Sequence, residues 1–155
     1  MQRSYYVYDS ATVITEDFDD GYEWVYTHVD FALADNVEAL RALGSGDLEL
    51  TGSADANWIQ GNAGANTISG GAGNDRLTGK AGIDTFVFAT GDGIDTITDF
   101  EVGVDRVRFA ATGLAFGDLV IEQSGSAAMV TYGTDMICFT NTDANDLSED
   151  HFAFS

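Results

Sequence analysis

Asp75 and Asp84 stand nine residues apart, each at the sixth place of a unit that opens on glycine. The segment Gly52 to Val87 runs through four such units in register, GSADANWIQ, GNAGANTIS, GGAGNDRLT and GKAGIDTFV, without insertion or deletion. The third matches G-G-x-G-x-D-x-U-x in full, with U a large apolar residue, a repeat of the calcium-binding kind. In each unit the first six residues make a turn and the last three a short strand. Glycine is needed where the turn takes φ > 0 and where carbonyls converge with no Cβ between them. Carboxylate and carbonyl oxygens are hard donors, and a flexible site of about six to eight of them selects calcium over magnesium or zinc.

Two units make one turn of the chain, so every second unit stacks, with strands about 4.8 Å apart. One edge then carries Asn57, Asp75 and Asp95, and the other Asn66, Asp84 and Asp105. Two carboxylates about 5 Å apart repel by roughly 3 kcal/mol at an effective dielectric of about 20. A cation between the turns converts that repulsion into binding. Asp-Gly turn chemistry without metal is the plainer explanation, but isolated turns need no nine-residue phase. Asn57 and Asn66 keep a side-chain carbonyl oxygen without its charge, which predicts weaker sites at the N-terminal end than around Asp75 and Asp84.

The elements that position these groups follow from period two in each strand triplet, which turns the middle residue inward. Leu50, Ile59, Ile68, Leu77, Phe86, Ile97 and Val107 form the expected core column, while Trp58, Thr67, Arg76, Thr85 and Thr51, Gln60, Ser69, Thr78 face water. Upstream, LGSGDLELT keeps the glycines but has Leu48 in place of the acid. Downstream, TGDGIDTIT brings Gly93 and Asp95 after the extra residues Phe88 and Ala89, and FEVGVDRVR follows after one more. The fold class expected is all-β: a right-handed parallel β-roll over 44–108, preceded by strands and closed by a small antiparallel cap over 109–155. In the run-in, 1–43, YYVYDSATVI and YEWVYTHVDFAL alternate like strands around an acidic turn from Glu16 to Gly21. The Val37, Leu40 and Leu43 spacing of DNVEALRAL fits a helix or a coil. In the cap, LVIEQ, AAMVTY and DMICFT alternate like strands, with Ser124 to Ser126 and Gly133 to Thr134 as turns.

The 155 residues suit a single domain. Six basic against 26 acidic residues give a net charge of −20, a self-repulsion that opposes any compact state unless cations offset it. Apolar residues reach 45%, too many for a disordered acidic tail, and the charge disfavours nucleic acid as a partner. Cys138 has no second cysteine to pair with and reads as a buried small hydrophobe. No stretch is apolar enough to span a membrane, and the N-terminus lacks the apolar core of a signal peptide. His28 and His151 have no metalloprotease spacing and no serine or aspartate set beside them, so no catalytic group is expected.

At this point the residues resemble the RTX (repeat-in-toxin, hemolysin-type calcium-binding) family, whose nonapeptides form a parallel β-roll with calcium in the turns. The resemblance implies ligands at the carbonyls around Gly61, Ala63 and Gly64, around Gly70, Gly71, Ala72 and Gly73, and around Gly79, Ala81 and Gly82. Asp75 and Asp84 would be the side-chain ligands, holding about two to four ions in all. Asn57, Asn66 and Lys80, which replaces a glycine, depart from the pattern and weaken the outermost sites. The family further implies secretion from Gram-negative bacteria through a type I exporter that takes the unfolded chain, with folding in extracellular calcium. Its export signal is C-terminal and uncleaved, and DLSEDHFAFS is similar to such a tail. The chain is thus expected to be a monomeric C-terminal module of a larger secreted protein. A second class of function comes from similar domains in mannuronan C5-epimerases, where they bind the polysaccharide. Trp58 would stack on a sugar ring there, and Arg76, Lys80, Arg106 and Arg108 would form a basic stripe for an anionic, alginate-like chain, unless they pair with neighbouring aspartates.

Overall fold

In a computed structural model, residues 2–17 and 21–155 are described. Fifteen strands follow in chain order: β1 Gln2–Val7, β2 Tyr22–Thr27, β3 Phe31–Ala32, β4 Ala39–Ala42, β5 Glu49–Thr51, β6 Trp58–Gln60, β7 Thr67–Ser69, β8 Arg76–Thr78, β9 Thr85–Phe88, β10 Ile94–Ile97, β11 Arg106–Phe109, β12 Val120–Ser124, β13 Ala127–Tyr132, β14 Asp135–Phe139 and β15 Phe152–Phe154. From β2 to β11 consecutive strands alternate between two sheets, so the backbone winds as a parallel β-roll. The nine-stranded sheet runs β1-β2-β4-β6-β8-β10-β14-β13-β12 and the six-stranded sheet β15-β11-β9-β7-β5-β3.

The expected core column is present without exception. Leu50, Ile59, Ile68, Leu77, Phe86, Ile97 and Val107 are all 0% exposed. Parallel pairing carries Ile59 onto Leu77 and Leu77 onto Ile97 in one sheet, and Leu50 onto Ile68 and Ile68 onto Phe86 in the other. The cap is the antiparallel meander that the alternating runs predict, with β12 and β14 flanking β13. It joins the roll through the parallel pairing of β10 with β14. The tail strand β15 pairs in parallel with β11, so HFAFS is built into the six-stranded sheet.

Parallel stacking begins well before the nine-residue frame. β1, β2 and β4 extend the same sheet upstream of β6, and β3 stacks on β5. The helix that DNVEALRAL allows is not formed: Ala39–Ala42 is a strand held between β2 and β6, with Ala39, Leu40 and Ala42 buried and Arg41 exposed. Two-sided pairing satisfies its backbone, whereas an isolated helix of nine residues is marginal. The first alternating run ends as a strand at Val7. There Asp9 accepts the Ala11 N–H through its carboxylate and the Thr12 N–H through its carbonyl, turning the chain away. The expected acidic turn lies partly outside the described residues, at 18–20. Cys138 is half-buried rather than buried, because Ile137 and Phe139 take the inward positions of β14 and leave it on the outer face. Among the described residues no helix is long and apolar enough to cross a membrane.

Truncating Phe86 to alanine should lower stability in saturating calcium by about 3–5 kcal/mol, read by chemical denaturation. Thr85→Ala on the outward neighbour should cost less than about 1 kcal/mol.

Candidate metal centre

Each strand triplet is preceded by its acid position, two residues before the inward side chain, and the parallel register aligns these positions along both edges. On one edge Asp75 Oδ1 accepts the Asn57 N–H at 2.7 Å and Asp95 Oδ1 accepts the Asp75 N–H at 2.9 Å. On the other, Asp84 Oδ1 accepts the Asn66 N–H at 2.8 Å and Asp105 Oδ1 accepts the Asp84 N–H at 3.0 Å. One oxygen of each carboxylate therefore closes the preceding coil. The second oxygens of Asp75 and Asp84 are buried with no hydrogen-bond partner. An ionised carboxylate left so is costly, and a cation is the direct remedy.

The space beside those oxygens exists only because the neighbouring residue is glycine. Any Cβ on Gly70 would overlap the Asp75 carboxylate, and any on Gly79 the Asp84 carboxylate. Carbonyl oxygens approach glycines of the adjacent coil in the same way: Gly70 O beside Gly52, Gly79 O beside Gly61, Gly64 O beside Gly82 and Gly73 O beside Gly93. Ala63, Ala72 and Ala81 sit exposed in the same turns. Among the described residues no group of three or more His, Cys, Asp or Glu side chains is arranged to hold a metal ion. The donor set is thus two carboxylates plus converging carbonyls, all hard oxygen, which suits calcium.

The two asparagines differ. Asn57 Oδ1 accepts the Ser53 N–H at 2.7 Å and its amide donates to Val37 O, so it is internally satisfied. Asn66 donates to Gly64 O but keeps an unpartnered Oδ1. Asp105 is also closed, since its second oxygen accepts the Glu101 N–H. Lys80 takes φ 75°, the conformation that Gly71 holds at the same place one unit earlier, so it fills a glycine position at a strain of about 1–2 kcal/mol.

The nine-residue frame does not reveal how far the acid edge extends. Counting back two places from inward Val25 and Leu40 gives Glu23 and Glu38, and Glu38 Oε2 accepts the Glu23 N–H at 2.8 Å as the aspartates do. The edge therefore reads Glu23, Glu38, Asn57, Asp75, Asp95, whereas the other starts with apolar Val29 and Leu48, both packed against the core. Asp135 is a third residue the frame misses. From the cap it accepts the N–H groups of Gly91 and Gly93, which closes the last glycine turn. The histidines sit apart from all of this: His28 stacks on Tyr8, and His151 accepts the Gly103 N–H in the cap junction.

Comparison with known proteins bears on this geometry directly. Residues 51–86 match the family described as RTX calcium-binding nonapeptide repeat, in four copies. This stretch of the chain belongs to that family. No curated protein matches the chain. Among solved structures, the extracellular lipase LipA from Serratia marcescens is similar at 12% identity and a TM-score of 0.47, over 99% of this chain and 38% of that one. The RTX frame thus accounts for the glycine cradles, and its calcium-binding type agrees with the oxygen donors found in them.

Burial raises the Asp75 and Asp84 carboxyls to about 6, partly offset by the N–H bonds from Asn57 and Asn66. It raises Asp95 to about 8, with the charges of Asp75, Asp92 and Asp135 adding to the effect. Folded values above the ordinary 3.8 mean that without metal these groups favour the fold only when protonated. Their contribution is complete below about pH 4 and is lost as pH rises through about 6 and then about 8. In chelator, acidification from about pH 8 to about pH 4 should therefore increase the folded fraction, followed by far-UV circular dichroism. The RTX cradle itself is tested by Gly70→Ala, whose φ is ordinary and whose nearest obstacle is the Asp75 side chain; calcium-induced folding should weaken by about tenfold or more in midpoint. Gly46→Ala, where a Cβ meets nothing within 4 Å, should leave the midpoint unchanged.

Proposed function

We propose that the chain is a calcium-binding β-roll module whose folding is coupled to the calcium of the extracellular medium. The observation that carries this reading is the pair of buried, unpartnered carboxylate oxygens on Asp75 and Asp84, each facing a glycine of an RTX turn. Asp75 and Asp84 would hold the ions with carbonyls of the turns at 61–64, 70–73 and 79–82. Gly93 and Asp95 would contribute at the C-terminal end, for about two to four ions in all. Bound there, calcium supplies positive charge that removes the repulsion along the acid edges. Because the ligands come together only in the folded coil, binding free energy becomes folding free energy. A net charge of −20 strengthens the coupling, since the same cations relieve the self-repulsion of the whole chain. Such a chain stays unfolded where calcium is scarce, the state a type I exporter accepts, and folds after release. That supports a place as the module of a larger secreted protein.

A second reading, binding of an anionic polysaccharide, draws on the basic residues and needs a change of geometry. Arg76 lies on β8 in the nine-stranded sheet, and Arg106 and Arg108 on β11 in the six-stranded sheet, so one stripe through all of them does not form. Nor is Arg76 paired with an aspartate among the described residues; its guanidinium sits 5.3 Å over the Trp58 ring.

Asp75→Asn together with Asp84→Asn separates charge from shape, because the amide oxygen can still accept the Asn57 and Asn66 N–H groups. During a calcium titration followed by far-UV circular dichroism, the wild-type chain should gain β signal cooperatively, with magnesium inert. The double variant should be better folded than wild type in chelator and should gain little from calcium. Equal calcium midpoints for the two chains would refute the ligand assignment.

A further inference from the structure

The acid edge does not stop where the nine-residue frame stops. Glu23 on β2 and Glu38 just before β4 hold the acid position in adjacent coils, and Glu38 Oε2 accepts the Glu23 N–H as Asp75 Oδ1 accepts that of Asn57. Glu23 repeats the other half of the arrangement as well. Its side chain is buried at 1% exposure, and its Oε1 has no hydrogen-bond partner. An ionised oxygen so placed needs a positive charge beside it.

The surrounding groups do not supply enough of one. The Glu38 carboxyl lies against Glu23, with Glu16 next, and among the described residues Arg3 is the only cation that bears on Glu23. Arg3 donates to Glu16 Oε2 at 2.8 Å and the Tyr5 hydroxyl donates to Glu16 Oε1, so both oxygens of Glu16 are engaged. Three carboxylates thus face one guanidinium. Burial, then the charge of Glu38 and more weakly that of Glu16, push the Glu23 carboxyl above its ordinary value, with Arg3 opposing. Asn57, next along the edge, is satisfied within the protein, which separates this pair from the cradle at Asp75.

Four segments of the chain meet here. Arg3 and Tyr5 come from β1, Glu16 from the connection after it, Glu23 from β2 and Glu38 from the lead into β4, to which the Asn36 amide ties the Glu16 carbonyl at 3.4 Å. This is the end of the roll opposite the cap, where β1 is the outermost strand of its sheet. Glu38 is only half-buried, so water can complete the donor set around the two carboxylates. Calcium accepts about six to eight oxygens in irregular geometry, which magnesium does not.

We propose that Glu23 and Glu38 bind a calcium ion that fastens the run-in strands to the roll, at a site outside the RTX repeats and independent of Asp75 and Asp84. Ions bound at saturation can be counted by native mass spectrometry and equilibrium dialysis. Glu23→Gln, which keeps the size of the side chain, should bind one ion fewer than wild type, and so should Glu38→Gln. Glu49→Gln, exposed on β5, should keep the full count. The Glu23 N–H reports on the site directly. Above the calcium midpoint of folding, hydrogen exchange of this amide and its β2 neighbours should slow about tenfold for each tenfold rise in free calcium, and should stay level in Glu23→Gln. Asp75→Asn with Asp84→Asn should lose the central ions and keep this one, so the two assignments fail separately. An ion count unchanged in both glutamine variants overturns the proposal. Slowing of β2 exchange by acid but not by calcium would mean that the pair shares a proton instead, and would overturn it too.

Discussion

The middle coils of the roll are fastened to their neighbours by carboxylates that satisfy only half of themselves. Oδ1 of Asp75 or Asp84 answers a backbone N–H one coil back, and this bond sets the acid positions in register along the edge. The geometry that makes the bond also buries the second oxygen where no protein donor reaches it. The rest of the structure follows from that remainder. Glycines must flank it because a Cβ would fill the space, and the strands must be short because a turn has to return every nine residues to supply the next acid. The core can then take only one inward side chain from each strand triplet, two per coil, which is why seven inward residues at 0% exposure carry so much of it.

The ends of the roll show what happens when the carboxylate is replaced. Asn57 turns its oxygen inward onto Ser53 N–H and needs no cation, while Asp105 spends its second oxygen on Glu101 N–H. At the C-terminal end Asp135 closes the last glycine turn from the cap. On one edge the upstream coils replace acid with Val29 and Leu48, and their contribution becomes apolar. The middle coils are where both edges present an aspartate with an unpartnered oxygen. Upstream, Glu23 also keeps a buried Oε1 without a partner, so the acid edge carries the same unmet oxygen into the run-in.

What was legible in the sequence was whatever repeats locally. The inward column, the two edges with their aspartates, the antiparallel cap and the glycine turns all follow from period nine and period two. Three things were not legible, for one reason: they depend on which coil lies beside which. Ala39–Ala42 has apolar spacing that serves a helix as well as a strand, and only its two sheet neighbours decide. Glu23 and Glu38 belong to the acid edge, but fifteen residues separate them and no glycine marks them, so the frame passes over them. Arg76 and Arg106 hold the seventh place of their units, which suggests one stripe, yet successive units face opposite sheets, which separates them.

That alternation also divides the labour of the molecule. Each coil has two edges, where turns bring acids and carbonyls together, and two faces, where outward strand residues are free of the core. The edges are constrained by glycine and charge at every repeat, so little variation is tolerated there. Outward positions carry no such constraint: in the repeats they are mostly threonine, serine and glutamine, residues that need only water. Against that background, five aromatic side chains, Tyr6, Tyr22, Trp24, Tyr26 and Trp58, on the outer face of β1, β2 and β6 are a departure that neither folding nor metal binding requires. Rings so exposed expose apolar area to water with no compensating burial, so their presence points to a contact made outside the chain. Because the face belongs to the same sheet as β8 and β10, its shape depends on the coils beneath it being stacked.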